Sequence, residues 1–540
     1  MAACLSLVFD AAHGACLKGP PIKWTPPPAP GAWPRFLFHF RGAHGDFRLQ
    51  EVRAVAEMLG FASQLELQAL PHLSESASSR PAACSTQQYA RIDGGDVGPS
   101  VFQWVSLPDA SAAAAVASRC VLVRAAYDVW AHACFDGEGE PPSSRGRWEW
   151  LASAVCESGE AQRDRMLAPL GEESWKLELL TFGVHKPYSL AAKVALFELF
   201  HELLVGLPGE VELASPRHVI TLLEDRAHPT ALGPASGGLP PIEWEGWQGV
   251  DASGAPHEAT GHSSRLFVGR RLSRGAGSLL AAFSLSSRRF VGRTSLPADL
   301  AFLMANSARV RRGSLVLDPF CGTASTLLSC ARFGACVVGV DIDARTLGCV
   351  EAEGGGRAER GVYANFEQAG LPPPVELIVS DAGLLLHDQI LTDGRYYEFD
   401  AIVTDPPYGL LEGLGALYVP LSLRIETLMA IAAHRLRVGG LLVFLLPVPA
   451  EDKEPTLPHS DCMELVSLSR QPMTLRIHRY LVTMRKTTRP SDNDIRAPSC
   501  AETPSELQKM ASPWERWWES LGQDRATIDS INSKASTNTA

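Results

Sequence analysis

The segment IVTDPPYGL, Ile402 to Leu410, takes an apolar run into an acid, two prolines, an aromatic and a glycine. A carboxylate directly after a strand, then a stiff turn and a ring, suits the handling of an amine on a flat heterocycle. Such an amine is a poor nucleophile, because its lone pair is spread into the ring. Asp405 can accept one of its N–H groups and the carbonyl of Pro406 the other, which turns a lone pair toward an electrophile. Pro406 and Pro407 fix φ and hold the aim of the loop. Tyr408 offers a face on which a base outside its helix can stack. Gly409 permits a tight exit.

A second stretch, GSLVLDPFCGTASTLLSCARFGACVVGVDID, Gly313 to Asp343, reads as strand, small-residue loop, helix and strand. Backbone in such a loop can come close to a ligand at the helix N-terminus. The loop lacks the G-x-G-x-x-G of a pyrophosphate cradle. It carries Gly322 and opens with Asp318, a carboxylate that would repel phosphate and attract an ammonium group. Asp341, at the end of the next strand, suits the two hydroxyls of a ribose. Asp381, after ELIVS, can accept a hydrogen bond from an adenine amino group. Adenosine joined to a cationic amino acid is S-adenosylmethionine, and the reaction class is methyl transfer. The spacing predicts that Asp318, Asp341, Asp381 and Asp405 end four strands on the carboxyl edge of one sheet, where open α/β sheets bind ligands.

These residues need scaffolding, and the chain of 540 residues has room for two to four domains. Its 46% hydrophobic and 20% charged composition is that of globular proteins. No apolar run reaches the ~18 residues of a membrane helix. GGLLVFLLPVP, Gly439 to Pro449, reads as a buried strand. The net charge of -11 means that any nucleic-acid binding needs a local basic surface. The 12 cysteines contain no C-x-x-C pair, which argues against a zinc site or a disulfide framework in this chain. The first residues have no basic stretch before their apolar ones, so a cytoplasmic location is expected.

Residues 1–35 form a proline-rich extension. Residues 36–230 read as α+β: RFLFHF as a strand, FRLQEVRAVAEMLG as a helix with a glycine stop, LAAKVALFELFHELLVGLPG as a helix, and GEVELASPRHVITLLED as strand, turn and helix. Residues 231–264 are a glycine- and proline-rich linker. Residues 265–486 alternate strand and helix, which implies a parallel sheet, and 487–540 are a polar tail.

RTSLPADLAFLMANSARVRRGSLVLDPFCGTAS, VVGVDID, VSDA and TDPPYG resemble the tRNA guanine-10 N2-methyltransferase family of eukaryotes and archaea. FLFHFRGAHGDFRLQEVRAVAEMLG and GEVELASPRHVITLLED resemble that family's N-terminal region and THUMP RNA-binding domain. The resemblance implies an α/β fold, a class I Rossmann-like methyltransferase sheet behind an α+β front half. It implies N2-methylation of a guanosine in tRNA, and a small zinc-containing activator subunit as partner. It adds Thr294 and Phe320 to the cofactor-binding residues. Two positions depart from the family's pattern. Ala324 replaces the last glycine of G-T-G, where a good helix former is expected to have a small effect. Leu411 stands where an arginine is usual.

Arg270, Arg271, Arg288, Arg289 and Arg293 lie in a stretch whose only acid is Asp299, and they are expected to face RNA. N6-adenine methylation of RNA or DNA, and RNA binding without catalysis, remain the competing functions. The front half is expected to supply RNA recognition and no chemistry.

Overall fold

The computed structural model describes residues 33–42, 44–62, 65–69, 101–135, 144–182, 188–226, 264–292, 295–347, 361–386, 397–407, 421–449, 460–473 and 477–490, with a few isolated positions besides. Most of the N-terminal extension, the linker and the tail, together with Arg293, Thr294, Tyr408, Gly409 and Leu411, lie outside the described residues.

The front half is built on one sheet. Its strands are β1 (Lys23–Trp24), β2 (Arg35–Phe40), β3 (Glu66–Ala69), β4 (Phe102–Ser106), β5 (Val123–Phe135), β6 (Trp175–Phe182), β7 (His218–Arg226) and β8 (Ser264–Arg274). The order is β3-β4-β2-β5-β8-β7-β6, with β1 on β5. The long strands β5 and β8 pair antiparallel from Ala125–Arg274 to Phe135–Ser264, and so join two helical layers. Helices Phe47–Met58 and Ala110–Arg119 cover one end, over Phe38, Phe40, Val52 and Val116. Asp109 caps the second of these by accepting from the Ala112 amide at 2.8 Å. Helices Ser144–Cys156 and Leu190–Glu198 cover the other end, over Trp148, Leu151 and Leu222.

Two expectations change here. His218–Arg226 is a strand, not a turn and helix. It lies between β6 and β8 and is buried on both faces, so its apolar run carries no alternation to mark it. The boundary expected at 265 moves past Arg274, because β8 completes the front sheet rather than opening the second one.

The second sheet holds β9 (Leu315–Asp318), β10 (Cys336–Asp341), β11 (Glu376–Val379), β12 (Phe399–Thr404), β13 (Leu436–Pro449), β14 (Met463–Pro472) and β15 (Ile477–Lys486). The order is β11-β10-β9-β12-β13-β15-β14. The first five are parallel and the last two antiparallel. From β9 the chain runs outward to β10 and β11, then returns on the other side of β9 as β12. That reversal opens a crevice at the carboxyl ends of β9 and β12. This is the strand order of class I methyltransferases.

The two halves share a core. Phe47, Val121 and Leu122 of the front half pack in the same apolar cluster as Phe302, Leu327 and Val443. Glu51, fully buried, accepts from the amides of Val121 and Leu122 and from Asn306 Nδ2 at 2.7 Å. Arg119 donates to Asn306 Oδ1 and lies over the Phe333 ring. A buried carboxylate with three donors is satisfied only while both halves are docked.

Candidate active site

The chemistry-bearing residues meet at the carboxyl ends of β9, β10 and β12. Asp318 ends β9 with 1% of its surface exposed. Its Oδ1 accepts from Thr404 Oγ1 at 2.6 Å and from the Phe320 amide at 3.1 Å. Its Oδ2 accepts from Thr326 Oγ1 in the first turn of helix Ser325–Arg332. Burial, the largest influence, pushes its carboxyl up to about 7 against these hydrogen bonds. Three donors of the protein thus hold the carboxylate, and Oδ2 keeps a second lone pair. It ties the loop, the helix and the end of β12 together.

Phe320 is half-buried and packs against the second sheet's core. The loop then folds back on β10. The Cys321 amide donates to the Val340 carbonyl at 2.9 Å, and the Gly322 amide to Asp341 Oδ2 at 2.9 Å. Gly322 has φ 52°, and a Cβ there would meet open space. The glycine serves the left-handed turn, and the space above it leaves room for a ligand to approach the backbone. Gly339 has the opposite reason. A Cβ there would come within 2.8 Å of Cys321 Sγ and Leu327 Cδ1, so the loop needs a glycine beneath it.

Asp341 accepts from the amides of Gly322 and, through Oδ1, Asp343. Burial raises its carboxyl against those hydrogen bonds. Each oxygen keeps a second lone pair, so a ribose hydroxyl can still be received there. Asp381 stands two residues beyond β11, exposed, with its Oδ1 accepting from the Gly383 amide at 2.7 Å. Asp405 follows β12 directly and is half-buried, Pro406 is buried and Pro407 half-buried.

The arginines divide. Arg270 and Arg271 belong to β8. Arg270 pairs with Asp128 at 3.6 Å and donates to the Pro169 carbonyl, and Arg271 pairs with Glu178 at 2.8 Å. Their side chains are 13% and 15% exposed, and each has an acid beside it in its own sheet. Both are thus engaged within the front sheet. Arg289 is 58% exposed and pairs loosely with Glu367 at 3.3 Å. Arg288 turns inward and donates through Nη1 to Ser325 Oγ at 2.6 Å.

Sequence reading missed the hydroxyls. Thr326 and Thr404 hold Asp318, and Ser295 meets Thr323 at 2.6 Å across the loop. The only signal was position: Thr404 immediately precedes Asp405, and Thr326 lies in the first turn of the helix after the loop.

The residues present fit S-adenosylmethionine: an open, glycine-turned loop, an acid at the end of β10, and a buried Arg288 Nη2 that lacks a partner among the described residues. Among those residues no three His, Cys, Asp or Glu side chains gather as metal ligands, and no helix is long and apolar enough to cross a membrane.

Residues 286–416 match the UPF0020 family, described as an RMKL-like methyltransferase domain. The chain is 28% identical over 493 residues to the tRNA (guanine(10)-N(2))-methyltransferase TRMT11 of Homo sapiens, covering 85% of this chain and 90% of that one. It is 31% identical over 271 residues to the protein of the same name from Dictyostelium discoideum, covering 45% and 51%. Among solved structures, TrmN from Thermus thermophilus aligns over 84% of this chain and 99% of its own, at 16% identity and a TM-score of 0.36. The chain is an S-adenosylmethionine-dependent methyltransferase by its domain and a relative, through its front half as well as its site, of the tRNA (guanine(10)-N(2))-methyltransferases.

Proposed function

We propose that this chain methylates the exocyclic N2 of a guanosine in tRNA, at position 10. The observation that carries the reading is the adjacency of two loops. β9 and β12 are neighbours, and the hydrogen bond from Thr404 to Asp318 joins the end of one to the end of the other. The acceptor loop beginning at Asp405 therefore opens beside the loop of Gly322. S-adenosylmethionine, when bound, supplies an electrophilic methyl group. Asp405 accepts one N–H of the guanine amine and receives the proton released at that nitrogen. The Pro406 carbonyl accepts the other N–H, and the two prolines keep both acceptors in place. Tyr408 stacks on the base.

Recognition of tRNA falls to the front half, read as carrying a THUMP domain. The length of the match to the tRNA methyltransferases supports this. The shared core and the Glu51 network hold that half at a fixed distance from the site, which is what selection by measurement along the tRNA requires. A small zinc-containing activator subunit completes the enzyme. The outer edge of the second sheet supports it: among the described residues β11 is the last strand there, and Val375, Val379 and Leu384 stand 65%, 46% and 48% exposed. A cytoplasmic location goes with this reading.

Nucleoside mass spectrometry of tRNA incubated with the chain and S-adenosylmethionine tests the proposal. N2-methylguanosine is the expected product. N6-methyladenosine, or no methylated nucleoside with the activator present, overturns it.

A further inference from the structure

We propose that Arg288 holds the α-carboxylate of the amino-acid moiety of S-adenosylmethionine, and so sets the affinity for ligands that carry that carboxylate. The inference rests on the cofactor assignment above. Arg288 lies in the segment that precedes helix Ala298–Ser307 and runs along the ligand loop. That segment is fastened on both sides. Ser295 meets Thr323, and a Cβ on Gly292 would come within 2.8 Å of Thr323 Cγ2. On the far side, Phe290 and Asn365 exchange two hydrogen bonds, its amide to Oδ1 and Nδ2 to its carbonyl. The guanidinium is therefore held, not swinging in solvent.

Its own partners are all neutral. Nη1 donates to Ser325 Oγ and Nε to the Phe283 carbonyl at 3.3 Å. Nη2 is buried without a hydrogen-bond partner among the described residues. Burial alone pulls its pKa down, to about 10, with no acid acting against it. A partly buried cation without an anion is costly unless a ligand brings one. The surroundings carry the same sign. Ser325 opens the helix after the loop, Ala324 before it supplies no side-chain cap, and the first amides of a helix favour an anion. Because Ser325 Oγ accepts from Arg288, its own hydroxyl proton is free to be donated onward. Guanidinium, hydroxyl and helix amides together favour negative charge at the start of the helix, whereas Asp341 meets the loop earlier, at Gly322. The adenosine end of the ligand belongs at Asp341, so the amino-acid end falls at Arg288.

The test uses the full chain with its activator and two ligands. S-adenosylhomocysteine carries the carboxylate, and 5′-methylthioadenosine lacks the whole amino-acid moiety. Calorimetry should show Arg288→Gln weakening the first by about 10- to 100-fold, the range of a lost charge-assisted hydrogen bond, and the second less than about twofold. Arg288→Lys should fall between, because an ammonium keeps the charge and loses the fork. The ratio of the two affinities is taken within each variant, so a partly unfolded sample does not distort it. Equal weakening of both ligands would make Arg288 a structural residue and overturn the proposal. So would unchanged S-adenosylhomocysteine binding with weakened tRNA binding, which would return Arg288 to the RNA surface. A wild-type chain that binds neither ligand would remove the cofactor assignment itself, and this proposal with it.

Discussion

The acids within the front sheet and those at the strand ends of the second sheet are used in opposite ways. In the front sheet an acid stands within a strand and meets a cation in its own sheet: Asp225 with Arg265 at 2.7 Å, Glu178 with Arg271 at 2.8 Å, Asp128 with Arg270 at 3.6 Å. In the second sheet Asp400, within β12, also meets a cation of its sheet, Arg437 at 2.6 Å, but the acids at the strand ends meet hydroxyls and amides: Asp318 with Thr326, Thr404 and the Phe320 amide, Asp341 with the amides of Gly322 and Asp343. A salt bridge within a sheet settles its charge for good. A carboxylate held by neutral donors organises a loop without supplying a counter-charge. That difference separates a scaffold from a site.

The largest expected effect is at Asp405. Asp405→Ala should reduce methyl transfer at least ~100-fold, the scale of a positioned acid–base group, while S-adenosylhomocysteine affinity changes less than about twofold. Single-turnover kinetics and calorimetry measure the two separately. Turnover at the wild-type rate would remove Asp405 from the chemistry and leave the second sheet's acids without a common purpose.

Asp318 comes next. Its carboxyl is raised in the folded chain from 3.8 to about 7, so protonation favours the fold. The stability it contributes is full below about pH 4 and is lost as pH rises toward 7. Asp318→Asn keeps acceptors for Thr404 and Phe320 and cannot titrate. Relative to the variant, the wild type should therefore lose stability between these pH values and run parallel above them. Denaturant unfolding across that window checks it, and identical slopes would mean that Asp318 titrates normally.

A pair of arginines sharpens the contrast between the sheets. Arg271→Ala strands the partly buried Glu178 and should cost roughly 1–3 kcal/mol of stability. Arg289→Ala breaks an exposed pair and should cost less than about 1 kcal/mol. In tRNA binding the order should reverse: the salt slope should fall by about one for Arg289→Ala and stay unchanged for Arg271→Ala. Equal effects on the slope would mean that β8 also faces RNA.

The smallest effect is at Ala324, which has φ 63° and ψ 34°. The helix-former argument misjudges this residue, because it stands before the helix in the left-handed region, where a glycine costs less. Ala324→Gly should raise stability by roughly 0.5–1 kcal/mol, after allowing for glycine's freer unfolded chain. A loss instead would show that the buried Cβ contributes more than the strain costs.

Cutting the chain near Arg265 does not separate RNA recognition from chemistry. The cut removes Glu51 from Asn306 and Phe47 from the shared core, and leaves β8 without its sheet. Loss of tRNA methylation in such a fragment would report a broken scaffold as readily as a missing RNA-binding domain.

The sequence by itself determined the local elements of the second half. An apolar run ending in an acid makes a strand end, and a small-residue loop before a helix makes a ligand loop, because both depend on neighbours in the chain. Asp341, Asp405 and Gly322 were legible for that reason. Only the tertiary structure decided what each charge does. Asp318 meets Thr404 across 86 residues, and Arg271 meets Glu178 across 93. Whether a charge is spent on a partner or left for a ligand is settled by such distant neighbours. No local pattern could tell that Arg270 and Arg271 are paired inside the front sheet while Arg288, a few residues on, turns toward the ligand loop.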